Sequence, residues 1–246
     1  GKNDMKLYVN GCSFSHGHRD FVIKNGKSDI SPDWVWPMLL KNNFEEVVSE
    51  AYRGSSNHRI IRRSMEYLNK INDPENWTII LQFANIERQE YYDKDLKSWI
   101  GLLVDEPIFD DKAPKNLDKS FMNKRATYKE FKNYCAIVNN NDNLILDLII
   151  QLLAFQSFCK IKGFKNIFYT GQSSSTMLSY YFKNKELIQN FNEIQSLANI
   201  IDQSNFLMPI SHIAKGHEES AEDGHPNEAG HKLFARYIID EIKNYE

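Results

Sequence analysis

The alternation of apolar and polar positions along the chain predicts strands and helices in turn. Residues 5–10 and 77–83 are short apolar runs rich in β-forming residues, and the second run, WTIILQF, is apolar at nearly every position. A run of this kind is typical of a strand that is buried on both faces of a parallel sheet. The longer apolar segment at 144–161 predicts a buried helix that ends at Gly163.

Strand, turn and helix repeat with short connections, which favours one α/β domain over residues 1–246. We predict a flavodoxin-like, doubly wound, three-layer α/β/α sandwich with a mainly parallel central sheet. The repeat fades between about 88 and 132, where charged, aromatic and proline residues predict an insertion or lid. In such sheets ligands bind beyond the carboxyl ends of the strands, so the residues that follow each strand are the candidates for function.

Composition narrows the class of protein further. The formal charge of −3 argues against nucleic acid or an anionic membrane surface as the main partner. The most apolar stretch, residues 144–155, carries Asp147 and Gln151, so we predict that it is too short and too polar to span a membrane. The N-terminus lacks the pattern of a secretory leader, and we expect a cytoplasmic protein. The three cysteines are far apart and lack metal-ligand spacing, which favours reduced thiols and neither a metal nor a cofactor (Cys12, Cys135, Cys159).

Two segments carry residues suited to nucleophilic catalysis. Ser13 follows the first predicted strand, and His225 precedes the C-terminal helix, shortly after Glu222 and Asp223. A serine hydroxyl is a weak nucleophile until a positioned imidazole accepts its proton, and an acidic partner fixes the tautomer of that imidazole. The combination indicates acyl chemistry, although each residue also has a structural interpretation. Ser13 alone could cap a helix, and His225 alone could lie in a surface loop.

At these positions the chain resembles the SGNH (GDSL-type) hydrolases, over its whole length except the segment at 88–132. Gly11-Cys12-Ser13-Phe14 is similar to the first block of that family, Gly-Asp-Ser-Leu, and the similarity implies that Ser13 is the nucleophile. Cysteine and phenylalanine replace the aspartate and leucine of the block. Neither replacement removes the serine hydroxyl.

The segment at 222–227 resembles the family block Asp-x-x-His, which implies that His225 is the catalytic base. The acid that stands three residues before the histidine is Glu222, whereas the aspartate, Asp223, stands only two residues before it. Both acids are candidates to orient the imidazole. We prefer Asp223 and keep Glu222 as the alternative.

The resemblance also implies a set of oxyanion donors. These are the backbone N–H groups of Ser13 and Gly54 and the side-chain amide of Asn85. The family motif Gly-x-Asn-Asp is incomplete at Asn85, so this residue could instead end a strand in a turn, and Gln82 could serve in its place. Gly54 on its own could be a turn glycine with positive φ.

With the resemblance, these residues predict a serine esterase that hydrolyses a small acyl ester of the acetyl type on a small molecule or a carbohydrate. An O-acyltransferase would use the same triad, and the altered blocks at Cys12 and Asn85 also allow a non-catalytic binding domain of the same fold. A nucleotide-binding protein is disfavoured because the chain has neither a GxGxxG nor a P-loop motif. Arg88 and Glu90 could form a local ion pair at the edge of the site, although we prefer to interpret this charged run as a solvated surface.

Overall fold

A computed structural model of the protein describes residues 4–17, 31–103, 106–109, 113–114, 117–219 and 224–245. The strands are β1 (Lys6–Asn10), β2 (Val47–Ser49), β3 (Trp77–Phe83), β4 (Gln89–Asp93), β5 (Ser98–Leu103), β6 (Glu106–Phe109) and β7 (Asn166–Gly171). The helices are α1 (Ser13–His16), α2 (Trp36–Leu39), α3 (Asn57–Leu68), α4 (Lys119–Lys124), α5 (Ala126–Val138), α6 (Asn141–Lys162), α7 (Leu178–Lys183), α8 (Phe191–Ala198), α9 (Ile210–Ile213) and α10 (Glu228–Tyr245).

The central sheet contains β2, β1, β3 and β7 in that spatial order, and all neighbouring pairs are parallel. This is the flavodoxin-like order, with β7 as the fourth strand of the sheet, so the predicted fold class is confirmed. Every residue of β3 is buried, as expected for a central strand covered on both faces. Three of its side chains, Ile79, Ile80 and Leu81, are fully buried, and each such burial stabilises the fold by roughly 1.5–3 kcal/mol.

The helices pack around the sheet in two groups. Helix α6 contacts α3 and α8, and helix α10 contacts α2 and α9. Apolar side chains from both groups merge with those of the sheet into one core. Since both faces of β3 are buried, the sheet forms the middle layer of the sandwich.

Helix α6 is 22 residues long and contains the helical segment predicted at 144–161. Gly163, with a φ of 90°, terminates it as predicted. By length and apolar composition alone α6 could cross a membrane. The prediction from sequence considered only the shorter apolar stretch at 144–155, which is too short for that. Helices in protein cores pass the same test, and α6 packs a row of side chains into the core of this fold: Leu144, Ile145, Leu148, Ile149, Leu152, Phe155 and Cys159.

The segment between β3 and α6 forms a second, smaller unit against the sheet. Strands β4, β5 and β6 make an antiparallel sheet, and α4 and α5 follow it. A small apolar cluster of its own holds this unit together: Ile100, Leu102, Met122, Tyr128 and Cys135. Helix α5 continues to Val138, so the excursion extends beyond the predicted limit of 132.

Apolar residues at helical spacing between 185 and 202 predict a helix there, and this prediction is wrong over much of the segment. Only α8 is α-helical there, after a single 3₁₀ turn. The carboxylate of Asp142 accepts hydrogen bonds from the backbone N–H groups of Gln189 and Asn190, both at 2.8 Å. These bonds hold the backbone out of a helix, because they engage N–H groups that a helix would direct at its own carbonyls. The spacing of apolar residues does not reveal such a tertiary contact.

The apolar residues at 206–210 predict a last strand, and in the structure this strand is reduced to a single bridge. Phe206 forms a single parallel bridge with Tyr169 of β7, and the N–H of Leu207 donates to the Tyr169 carbonyl at 2.7 Å. Pro209 follows at once and has no N–H to continue a ladder of hydrogen bonds. Helix α9 then begins at Ile210, so only one residue pair joins this segment to β7 as a β-bridge.

Candidate active site

The loop that carries Ser13 leaves the end of β1 and is fixed by two buried amide side chains. Asn10 accepts a hydrogen bond from the N–H of Gly11 at 2.8 Å. Gln82, in the neighbouring strand β3, accepts one from the N–H of Cys12 at 3.2 Å. Both amides are fully buried, so these hydrogen bonds act in surroundings of low dielectric and set the path of the loop up to the serine.

Gly11 allows this loop to lie directly against Gln82. A Cβ atom on Gly11 would lie 2.8 Å from Oε1 of Gln82 and 2.9 Å from Oγ of Ser15. The hydroxyl of Ser15 donates to Oε1 of Gln82 at 3.0 Å and accepts from the indole N–H of Trp36 at 3.2 Å. The hydroxyl of Ser15 is therefore used in hydrogen bonds of the protein interior. Ser13 is the serine of this segment that lines a cavity.

His225 lies in a loop that folds back on itself before α10. The N–H of Glu219 donates to the carbonyl of His225 at 2.7 Å, and the N–H of Asn227 donates to the carbonyl of His217 at 2.8 Å. The side chain of Asn227 also accepts from the N–H of Gly230 at 3.1 Å and so caps the start of α10. The loop is thereby anchored to the last helix of the chain.

The structure brings Ser13 and His225 together at the carboxyl end of β1. Ser13 Oγ lies 2.7 Å from His225 Nε2. When the hydroxyl donates this hydrogen bond, the imidazole carries its proton on Nδ1. Phe14, where the family motif has leucine, packs its ring against the imidazole with centroids 4.3 Å apart. The pair has the geometry required of a nucleophile and its general base.

Ser13 and His225 line a cavity of about 330 Å³. Strand β6 of the predicted insertion forms one wall of it, and residues that follow β2 form another. The complete lining is Ser13, Tyr52, Arg53, Gly54, Arg88, Leu103, Glu106, Pro107, Ile108, Phe109, Lys119 and His225. A cavity of about 570 Å³ lies elsewhere, against α6 and the first residues of β7, and contains none of the predicted site residues.

Two backbone N–H groups at this cavity are not used by the fold. Among the described residues, no hydrogen bond engages the N–H of Ser13 or that of Gly54. Gly54 has a φ of 73°, which favours glycine, and a Cβ atom there would lie 3.0 Å from the side chain of Ile108. Free N–H groups beside a nucleophile are the kind of donor that stabilises an oxyanion.

Asn85 is not among the described residues that line this cavity, so the structure does not bring it together with Ser13 and His225. Its side chain is exposed, accepts from the N–H of Glu87 at 2.9 Å and lines a neighbouring cavity, which shares Arg88 and Leu103 with the first. The preceding Ala84 is paired with Asn57, whose side chain accepts from its N–H at 2.8 Å and donates to its carbonyl at 3.1 Å. This pairing fixes the backbone just before Asn85 against the start of α3. Gln82, the alternative donor, is occupied by the loop after β1.

We expect Asn85→Ala to change kcat/KM for an acetyl ester by no more than about twofold, because this side chain lies outside the cavity. Loss of a genuine oxyanion donor costs about 10²–10³-fold in turnover. Steady-state hydrolysis of 4-nitrophenyl acetate by the variant and the wild type measures the difference. A loss of about 100-fold in a folded variant would restore Asn85 to the oxyanion site.

The acidic partner proposed for His225 lies outside the described residues. This applies to Asp223 and to Glu222, so the choice between them stays a prediction.

Cys12 is buried, and its sulfur lies 3.4 Å from the side-chain oxygens of Gln82 and Gln172. Across the part of the chain that the structure describes, no group of three His, Cys, Asp or Glu side chains could hold a metal ion.

Two arginines that line the cavity were not predicted from sequence to take part in catalysis or in substrate binding. The charged run after β3 is expected to be solvated, yet Arg88 lines the cavity and Glu90 is almost fully buried. Glu90 pairs with Arg62 at 3.0 Å and with His58 at 2.7 Å. Arg53 also lines the cavity, and its position next to the predicted oxyanion glycine is the one signal in the sequence that could have indicated it.

His231, near the start of α10, is buried and neutral. Its Nδ1 accepts a hydrogen bond from the N–H of Trp36 at 3.2 Å. Burial, with a smaller contribution from the neighbouring His225, lowers the pKa of His231 to about 3. In the unfolded chain the same side chain binds a proton near pH 6.5. Acidification therefore favours the unfolded state, because only that state gains the proton between pH 6.5 and 3.

We expect His231→Asn to reduce the loss of stability in acid. Between pH 7.5 and 4.5 the titration of His231 lowers the free energy of unfolding by about 2.5 kcal/mol. The asparagine oxygen can replace Nδ1 as the acceptor, so the variant should fold yet lose about 2.5 kcal/mol less than the wild type over this range. Urea unfolding at both pH values gives the two losses. Equal losses would show that His231 does not titrate between the folded and unfolded states.

Comparison with known proteins finds no matching family model and no matching curated protein. A solved structure of a lipolytic G-D-S-L family member from Veillonella parvula is similar over 96% of this chain and 97% of its own, with 12% identity and a TM-score of 0.46. The esterase EstA from Pseudoalteromonas sp. is similar over 98% of both chains, with 11% identity and a TM-score of 0.48.

A third solved structure is of a carbohydrate esterase, described as having divergent catalytic and non-catalytic binding functions. It is similar over 99% of this chain and 69% of its own, with 11% identity and a TM-score of 0.44. Values this low carry no conclusion about activity. The function is therefore argued from the geometry around Ser13 and His225.

Proposed function

We propose that this protein is a serine ester hydrolase that acts through an acyl-serine intermediate. The observation that carries the proposal is the 2.7 Å contact between Ser13 Oγ and His225 Nε2 in a cavity that also presents unused N–H groups. Nucleophilic acyl chemistry requires this combination of groups. In the proposal Asp223, or alternatively Glu222, orients the imidazole.

In the first half of the reaction His225 Nε2 accepts the proton of the Ser13 hydroxyl, and Oγ attacks the carbonyl carbon of the ester. The negative charge that develops on the carbonyl oxygen is stabilised by the N–H groups of Ser13 and Gly54. When the tetrahedral intermediate collapses, the bond to the alcohol oxygen breaks. The alcohol leaves with the proton that His225 holds, and the acyl group stays on Ser13.

In the second half a water molecule takes the place of the alcohol. His225 accepts a proton from this water, whose oxygen attacks the acyl carbon, and the carboxylic acid is released as the serine regains its hydrogen. The cavity volume of about 330 Å³ suits a small acyl ester, of the acetyl type, on a small molecule or one sugar unit. Transfer of the acyl group to a sugar hydroxyl instead of water would use the same groups.

Two measurements on the wild-type protein test the proposal. We expect turnover of 4-nitrophenyl acetate, and covalent labelling by an alkyl fluorophosphonate at Ser13. Tandem mass spectrometry distinguishes Ser13 from Ser15 in the same peptide, and Ser15 should stay unlabelled because its hydroxyl is buried and hydrogen-bonded. Heat-unfolded protein, which lacks the Ser13–His225 contact, is the control that should show neither reaction.

Product analysis separates hydrolysis from acyl transfer. Free acetate as the main product, in the presence of a sugar acceptor, supports the hydrolase. An acetylated sugar as the main product would replace it with an O-acyltransferase that uses the same residues. Absence of both label and turnover from folded protein, on 4-nitrophenyl acetate and on acetylated sugars, would reject catalysis and favour a non-catalytic binding domain.

A further inference from the structure

The charged side chains around the proposed nucleophile do not balance. The cavity is lined by Arg53, Arg88, Lys119 and Glu106, on a chain whose formal charge is −3. Lys119 and Glu106 form an ion pair with each other. That pair leaves two guanidinium groups at the cavity of a protein that is acidic as a whole.

Neither guanidinium has a carboxylate partner among the residues that the structure describes. Within the described ranges, no carboxylate lies within ion-pair distance of Arg53 or Arg88. Nη1 of Arg53 and Nε of Arg88 are both buried without a hydrogen-bond partner. Nη1 of Arg88 makes one long hydrogen bond, at 3.4 Å, to the carbonyl of Ser55. A cation that lines a cavity without a carboxylate partner favours an anion as the group that binds there.

The position of the two arginines relates them to the reaction. Arg53 directly precedes Gly54, whose N–H is a proposed oxyanion donor, and both residues line the same cavity as Ser13. Arg88 approaches from the turn after β3. A guanidinium presents N–H donors in a fixed plane that matches a carboxylate or phosphate, and it keeps its charge at every physiological pH.

We propose that Arg53 and Arg88 bind an anionic group of the substrate, so that the preferred ester carries a negative charge, such as a carboxylate or a phosphate, next to the ester that Ser13 attacks. This inference rests on the proposed hydrolase and names its substrate class. The anion would pair with the two guanidinium groups, and its own loss of hydration would be offset by charge-assisted hydrogen bonds.

Binding to the Ser13→Ala variant tests the proposal without requiring turnover. Two matched pairs of probes place the charge on different sides of the ester. The first pair is 3-acetoxybenzoate and neutral 3-acetoxybenzamide, and the second is mono-4-nitrophenyl adipate and neutral 4-nitrophenyl hexanoate. In titration calorimetry we expect the anionic member of at least one pair to bind about 10- to 100-fold more tightly. The pair that shows the preference tells whether the anion lies on the alcohol or the acyl side.

Variants of the arginines assign the preference to these residues. In the Ser13→Ala background, Arg53→Gln and Arg88→Gln should each reduce the anionic preference about tenfold, and Arg53→Lys should keep part of it. Arg236→Gln removes one positive charge from an exposed position of α10 and should leave the preference unchanged. An equal affinity for both members of both pairs, or a preference that survives both glutamine variants, would overturn the proposal.

The same probes separate this inference from the proposed hydrolase. If Ser13 is labelled and neutral esters are hydrolysed but no anionic preference is found, the hydrolase stands and the anion site is rejected. If Ser13 is neither labelled nor active while the anionic probes bind through Arg53 and Arg88, the hydrolase is rejected. The cavity is then an anion-binding site.

Discussion

Ser13→Ala should reduce the turnover number for 4-nitrophenyl acetate by about 10⁵–10⁶-fold, since it removes the hydroxyl that contacts His225 Nε2. The neighbouring Ser15 is buried and bonded to Gln82, so it cannot act as a substitute nucleophile. Steady-state hydrolysis and fluorophosphonate labelling, on protein whose folding is checked by circular dichroism, measure the effect. Activity and label should disappear together.

A matched control for this variant is Ser174→Ala. Ser174 is an exposed serine at the carboxyl edge of the sheet, beyond β7, and makes no side-chain hydrogen bond in the structure. This variant should hydrolyse the ester at the wild-type rate and take the label at Ser13. Wild-type turnover by folded Ser13→Ala protein would remove the acyl-serine intermediate from the mechanism.

His225→Ala should lower the turnover number about 10⁴-fold or more, because the Ser13 hydroxyl then has no base to accept its proton. The substitution also leaves a space the size of an imidazole ring beside Phe14, which packs on His225 at a centroid distance of 4.3 Å. Imidazole added to the buffer should enter this space and restore part of the activity. The measurement is the rate as a function of imidazole concentration, and it should saturate.

Rescue distinguishes a base from a structural residue, since free imidazole replaces a proton acceptor but not the backbone hydrogen bonds of the loop. His212→Ala, at an exposed histidine of α9, is the control and should be fully active with or without imidazole. Full activity of His225→Ala, or a variant that imidazole fails to rescue although it is folded, would contradict the assignment of His225 as the base.

The insertion contributes directly to the proposed site. Strand β6 supplies Pro107, Ile108 and Phe109 to the cavity, and a Cβ atom on Gly54 would lie only 3.0 Å from the side chain of Ile108. The cavity is thus formed between the parallel sheet and the smaller antiparallel sheet. Its shape depends on a segment whose sequence shows no clear periodicity.

The strongly patterned elements of the fold were predictable from sequence. Strand β3 and helix α6 each bury a continuous apolar surface, and the pattern of such residues follows from the geometry of the element itself. The true helix boundaries between 185 and 202 could not be predicted from the spacing of apolar residues. Asp142, more than forty residues away in sequence, captures the backbone N–H groups that would have continued the helix.

In the candidate site, too, some residues could be predicted from sequence and others could not. Ser13 follows the first predicted strand and His225 precedes the predicted C-terminal helix, and their residue types together with the family resemblance were enough to select them. The position of Asn85 relative to Ser13 depends on the pairing of Ala84 with Asn57, two residues on different elements. The incomplete Gly-x-Asn-Asp motif at Asn85 gave no information about the pairing of Ala84 with Asn57.

The amino-acid sequence by itself determined the parallel sheet, the buried central strand and the chemical types of the proposed nucleophile and base. These properties are local, since they depend on apolar periodicity, on glycine in a tight loop and on residue identity. Only the tertiary structure decided that Ser13 and His225 lie 2.7 Å apart, that Asn85 lies outside the cavity and that Arg53 and Arg88 face it. Each of these facts joins segments that are distant in the chain, and their distances are set by packing and hydrogen bonds between elements rather than by the residues of any one of them.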